Sequence, residues 1–129
     1  MKSSNEPLMT VMLGWPPRKL NPNVRTHHYE LGRLKKLYRH ACYFTALQAA
    51  GVGKWTYAGD IRLHMVFVPP TRHQRDEDNL IASMKAGLDG LADALKVNDR
   101  RFRLSHEVSD QIGGYVLIQL WPLPPKVKA

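Results

Sequence analysis

A single cysteine, Cys42, excludes an internal disulfide anywhere in these 129 residues. The chain therefore needs its hydrophobic core for stability rather than a covalent framework. No apolar run reaches the roughly eighteen residues that a membrane-spanning helix requires. The stretch PLMTVMLGWPP (7–17) is short and runs into a proline pair, so it reads as a strand and not as a secretory leader. A cytoplasmic protein is the expectation. No glycine-rich phosphate loop, no zinc-like Cys/His spacing and no internal repeat is present. Acidic residues are scarce as well: eleven Asp and Glu stand against nineteen Lys and Arg, a formal charge of +8 and a pI near 9.9. That imbalance points to a polyanionic partner, nucleic acid first, with an idle basic surface as the alternative.

The length suits one domain spanning residues 1–129, large enough to bury its own core. Residues 7–15 form the expected first strand, and PPRKLNPNVR (16–25) a basic, turn-rich loop. From Thr26 to Ala50 apolar residues recur at three- and four-residue steps. They include Leu31, Leu34, Leu37, Tyr38, Ala41, Phe44, Thr45 and Ala49, with Gly51 as a stop, and Arg33, Lys35, Lys36 and Arg39 lie on the other face. Within this helix Cys42 reads as a buried thiol. DIRLHMVFV (60–68) alternates as a strand does and stops at Pro69. A second helix is expected from Glu77 to Leu95, its core stripe Leu80, Met84, Leu88, Leu91 and Leu95. RRFRLSHEVS (100–109) and GYVLIQLW (114–121) straddle DQIGG and suggest an antiparallel hairpin, with 122–129 a frayed tail. The order β-α-β-α-β-β defines an α/β fold, a small mixed sheet packed with two main helices.

Three of the eleven acids are contiguous, in RHQRDEDNL (72–80). On a helical wheel Asp78, Lys85 and Asp89 fall within about 40° of one another, because seven and eleven residues are close to whole numbers of turns. One polar stripe therefore carries carboxylate, ammonium and carboxylate. Asp76 suits a helix N-cap, acids in a first turn suit the helix dipole, and Lys85 with Asp89 is a common surface pair. The alternative is chemical. Asp76 and Asp78, a residue apart at a strand–loop–helix junction, can aim at one hard cation such as Mg²⁺. The flanking Arg72, Arg75, Arg100, Arg101 and Arg103 would attract phosphate, as phosphodiester hydrolysis requires. Lys85 could then neutralise charge developing on the phosphate. Both readings stand on the sequence.

RDEDNLIASMKAGLDGLADALKVND (75–99) resembles the central motif of the RusA-type Holliday junction resolvases, crossover junction endodeoxyribonucleases common in phages and prophages. LGWPPRKLNPNVRTHHY (13–29) is similar to the opening strand, W-P-P turn and L-x-P-N-x-R-x-H segment of the phage-type members. The likeness covers residues 10 to 120, with both motifs in the family's order. It implies that Asp76, Asp78 and Asp99 bind magnesium (or Mn²⁺) and that Lys85 is the catalytic lysine. It also implies a homodimer that nicks two strands of a four-way DNA junction symmetrically, in recombination and repair. Arg18, Lys19, Arg25, Arg72, Arg75, Arg100 and Arg101 are then the expected DNA contacts. This chain departs from the pattern in two places. Asn98 stands where many relatives carry the first of two acids, and Ala82 occupies the position that holds the lysine in some members. Asn98 keeps open a second class of function, a degenerate relative that grips branched DNA without cutting it. A basic RNA-binding protein is a third.

Further candidates are weaker. His27 and His28 either contact phosphate or cap and pack the first helix. His73 lies nearest the acids as a general base. Trp15 either stacks on bases or anchors its loop. Lys126 and Lys128 either touch DNA or solvate the tail. Asp89 is read as the partner of Lys85, and Glu77 as solvated.

Overall fold

A computed structural model describes residues 6–51, 53–72 and 75–123. Its elements are β1 (Met9–Gly14), α1 (His28–Ala50), β2 (Ile61–Val68), α2 (Glu77–Ser83), α3 (Lys85–Leu95), β3 (Phe102–Val108) and β4 (Tyr115–Pro122). Short 3-10 turns occupy Arg18–Leu20 and Asp99–Arg101. The four strands make one mixed sheet in the order β1-β4-β2-β3, so the α/β class and the mixed sheet match expectation. Residues 124–129, including Lys126 and Lys128, and His73 lie outside the described residues. Pro122, assigned to the tail, instead ends β4 opposite Ile61, and the Leu123 N–H donates to the Asp60 carbonyl at 3.0 Å.

The expected hairpin between the last two strands does not form. β4 pairs antiparallel with β2 and with β1, while β3 pairs only with β2, in parallel, from Ile61↔Phe102 to Phe67↔Val108. The reason lies in burial. β2 places Ile61, Leu63, Met65 and Phe67 in the core and is stabilised most at the sheet centre. β3, with Arg103 and Glu107 among its apolar residues, is suited to an edge, where charge discourages further pairing. A parallel β2–β3 pair requires a crossover, which α2 and α3 supply. DQIGG then carries the chain over the end of β2. The Gly113 and Gly114 N–H groups donate to the carbonyls of Pro69 and Val68, each at 2.8 Å. Gly114 does so at φ 90°, a conformation side chains disfavour.

The helices cover one face. In α1 the buried residues are Tyr38, Cys42 and Ala46, while Leu37 and Phe44, expected in the core, are 53% and 63% exposed. Helix packing sets that rotation. A Cβ on Gly87 would meet the Tyr38 ring and the Cys42 sulfur, and one on Gly90 would strike the Arg39 carbonyl. These bare positions of α3 let α1 approach closely along its 38–42–46 face, leaving the bulkier residues outside. Arg39 pins the pair through a 2.8 Å ion pair with Asp93, and the Tyr38 hydroxyl donates to the Gly14 carbonyl at 2.6 Å, tying α1 to β1. Burial pushes the Cys42 thiol up to about 11, against a smaller opposing effect of its hydrogen bond with Tyr38. The burial of the thiol is as expected.

The second predicted helix is two abutting segments. The Met84 N–H turns back to the Ile81 carbonyl at 3.0 Å, a tighter 3-10 closure. The Ser83 hydroxyl donates to the Asn79 carbonyl at 2.8 Å, a bond of the kind that bends helices. Regular bonding resumes as the Leu88 N–H donates to the Met84 carbonyl. The stripe survives the break, since Leu80, Met84, Leu88, Leu91 and Leu95 are all buried. Among the described residues no helix is long and apolar enough to cross a membrane.

Candidate active site

The acidic stretch opens α2. Asp76 is its N-cap, with the carboxylate accepting the Asn79 N–H at 3.2 Å. Glu77 is not simply solvated, for its carboxylate contacts His106 Nε2 at 2.8 Å, joining α2 to β3. Asp78 is exposed, and its side chain has no hydrogen-bond or ion-pair partner among the described residues. Ala82, one turn further, lines the same hollow as Lys85, Asp89 and Asp99.

That hollow, about 250 Å³, has Leu88, Phe102 and Leu104 as its apolar wall. Asp99 reaches it because the left-handed Lys96 (φ 55°) ends α3 and the chain turns back through Val97 and Asn98. Lys85, Asp89 and Asp99 also line an adjoining depression of about 410 Å³ with Arg39, Asp93 and Asn98. Lys85 Nζ lies 3.7 Å from Asp89 Oδ1, with the Lys85 side chain three-quarters exposed. Asn98 acts locally, its side-chain carbonyl accepting the Arg100 N–H at 2.9 Å and capping the 3-10 turn that carries Asp99.

Lys85, Asp89 and Asp99 thus come together, whereas Asp78, about two turns before Lys85, lines neither depression. Asp76 faces the start of α2 and lines neither depression. Among the described residues no three His, Cys, Asp or Glu side chains converge as a metal cage. The donor chemistry nonetheless suits Mg²⁺. It is all oxygen, Asp78 and Asp99 have no competing partner among the described residues, and Mg²⁺ typically takes only one or two protein carboxylates.

The expected phosphate contacts disperse. Arg75 lies over the Trp15 ring, 5.5 Å from its centroid, and donates to the Thr71 carbonyl at 2.9 Å. Trp15 itself meets Phe67 edge-on at 6.0 Å, which makes it an anchor of its loop. Arg72 lines a separate depression beside Glu77. Arg101 lines another, beside Trp55. Arg18 and Arg100 are exposed on the two 3-10 turns.

A larger groove, about 690 Å³, runs between α1, the first 3-10 turn and the α2–α3 junction. It is lined by Lys19, Arg25, Lys35, Lys36, Arg39 and Lys85, with Asp89 as its one carboxylate among the described residues. Lys19 and Arg25 were expected contacts; Lys35, Lys36 and Arg39 were legible only as the polar face of α1. The i, i+4 pair of Lys35 and Arg39 was the signal, but nothing in the sequence told which surface that face would meet. Lys19 reaches Glu30 at 3.7 Å, and the Glu30 carboxyl is held below its usual range by the Arg33 hydrogen bond first and the charge of Lys19 next. Ala82, Lys85 and Asp89 line both spaces, so the groove and the carboxylate hollow are neighbours.

The fold and these residues define a small α/β protein with a carboxylate–lysine hollow beside a cationic groove. No family model matches the chain. An uncharacterized protein of Xylella fastidiosa strain Temecula1 is 34% identical over 116 residues, which cover 88% of this chain and 76% of the relative. The chain belongs to the same family as that protein.

Proposed function

We propose that this protein is a metal-dependent, structure-selective DNA endonuclease of the RusA type, resolving four-way junctions by paired nicks. The observation that carries this reading is that the cationic groove adjoins the hollow of Lys85, Asp89 and Asp99, with Lys85 and Asp89 in the walls of both. Such a surface draws the phosphate backbone along the groove and delivers it to oxygen ligands and an ammonium group. Asp78 and Asp99, with the free oxygen of Asp76, would hold Mg²⁺, or Mn²⁺ in its place. The ion would supply water activation and charge neutralisation. Lys85 would offset negative charge gathering on the phosphate, and Asp89 would keep its ammonium group aimed. A homodimer would present two such hollows to symmetry-related strands.

A non-catalytic binder of branched DNA is the second reading. It is favoured by the absence of a converged carboxylate cage among the described residues and by Asn98, which serves as a cap instead of a ligand. An end-labelled four-way junction, incubated with protein with and without Mg²⁺ and run on native and denaturing gels, separates the two. Symmetric nicks that require the metal support the nuclease; retarded but intact junctions at every metal concentration support the binder.

A further inference from the structure

We infer that the groove between α1 and the α2–α3 junction holds an unpaired DNA strand, with a base stacked on the exposed rings of His28 and Tyr29. The inference rests on the nuclease reading only for its choice of DNA as the polyanion. Two independent features meet there.

The first is charge without compensation. Arg25, Lys35 and Lys36 line the groove and have no ion-pair partner among the described residues. The opposite wall is made of the small side chains Ala82, Ser83 and Ala86, which leave room for a backbone to lie close.

The second is an aromatic cluster, His27, His28 and Tyr29, that directly follows the groove-lining Arg25 and Thr26 in the chain. The ring centroids of His27 and His28 are 4.5 Å apart, and those of His28 and Tyr29 are 4.3 Å apart. His27 is held in place by its cap, with Nδ1 accepting the Tyr29 N–H at 3.3 Å. Tyr29 is 77% exposed, so the core does not account for it. Lys35 follows His28 by seven residues and Arg39 by eleven, both near whole numbers of turns. His28 therefore stands on the same stripe of α1 as the cations that line the groove. Arg25 and Thr26, just before the stack, line it too.

Basic grooves interleaved with exposed aromatic rings suit single strands, whose every base offers a face to stack on. A duplex keeps its bases in its own stack and gains nothing from these rings. At a branch point the groove would take the locally unpaired strand and lead it toward Lys85.

The test is fluorescence anisotropy in EDTA, so that cleavage plays no part. The probes are a labelled oligothymidylate of about twelve nucleotides and a blunt duplex of equal length. Tyr29→Ala should weaken the single strand about five- to a hundredfold and the duplex by less than about twofold, with His28→Ala acting in the same direction. Replacing Lys35 and Lys36 together by alanine should flatten the salt dependence of single-strand binding by about 0.7 for each phosphate no longer neutralised. Equal losses on both probes, or none on the single strand, would overturn the inference. Circular dichroism should show Tyr29→Ala folded, as its exposure requires. Should the wild-type protein leave junctions intact at every Mg²⁺ concentration while Tyr29→Ala loses only single-strand affinity, the nuclease reading falls and the groove stands.

Discussion

The carboxylate of Asp76 accepts the backbone N–H of Asn79 at 3.2 Å, whereas Asp78, two residues later, has no side-chain partner among the described residues. The two acids of the D-x-D pair are therefore separable by experiment. Asparagine caps a helix about as well as aspartate. Asp76→Asn should melt like the wild type, while Asp76→Ala should lose about 1 kcal/mol. Asp78→Asn, which loses only a favourable charge in the first turn of α2, should cost less than about 1 kcal/mol. If these acids bind metal, all three variants lose Mg²⁺-dependent nicking and keep junction binding. Thermal melts beside a nicking assay decide it, and full nicking by Asp78→Asn would sink the metal assignment.

Lys85 and Asp89 should differ in what their loss does. Lys85→Met removes the ammonium group and should slow nicking about 10²- to 10³-fold, the scale of losing one charge-stabilising donor. Asp89→Asn breaks a long pair at 3.7 Å between exposed Lys85 and half-buried Asp89 and weakens its attraction for Arg39; surface pairs of this kind are worth less than about 1 kcal/mol. It should cost less than about tenfold. Single-turnover rates at saturating junction compare the two.

The approach of α1 to α3 yields a stability test. Alanine normally favours a helix over glycine by about 1 kcal/mol. At Gly90 the added Cβ would strike the Arg39 carbonyl, a backbone atom that cannot swing aside. Gly90→Ala should therefore destabilise the protein by about 1–3 kcal/mol, as overpacking does. Urea denaturation reads the sign directly, and a stabilised variant would refute this account of the helix interface.

The buried thiol of Cys42 makes stability fall at alkaline pH. Its value rises from an ordinary 9.0 in the unfolded chain to about 11 in the fold. Above pH 9 the unfolded chain releases a proton that the folded chain keeps, so the slope of unfolding free energy against pH is negative. The loss runs from about pH 9 to 11 and amounts to at most roughly 2–3 kcal/mol. Tyr38, raised chiefly by burial and then by Cys42, adds a loss of the same sign at higher pH. Comparing the pH dependence of wild type and Cys42→Ala isolates the thiol; identical slopes would remove it as the cause.

Much of the secondary structure was legible because local rules govern it. Proline stops bounded β1 and β2, and the apolar period gave α3 its correct face through Leu88, Leu91 and Leu95. α1 was read two residues long at its start and with its face right only in part: Tyr38 is buried and Leu31 and Leu34 pack on the core, but Leu37 and Phe44 are exposed, since apolar residues nearly encircle the helix. The bare surface at Gly87 and Gly90 decided the matter, and a glycine far along the chain has no signature in α1. The candidate site divides in the same manner. The wheel placed Lys85 beside Asp89, and residue type marked Asp76 as a cap. The role of Glu77 as a tie to His106 was missed because its partner arrives from β3.

The sequence by itself determined the class of fold, the excess of positive charge, the burial of Cys42 and the polar stripe of the acidic helix. Each depends on composition or on neighbours within a few turns. Only the tertiary structure decided that β2 separates β3 from β4, because strand order follows from which strand buries most and not from which comes next. It also decided that Asp99 folds back beside Lys85, and that Lys35 and Lys36 face the α2–α3 junction across an open groove. Those pairings join residues far apart in the chain, and the packing that brings them together is a property of the whole core.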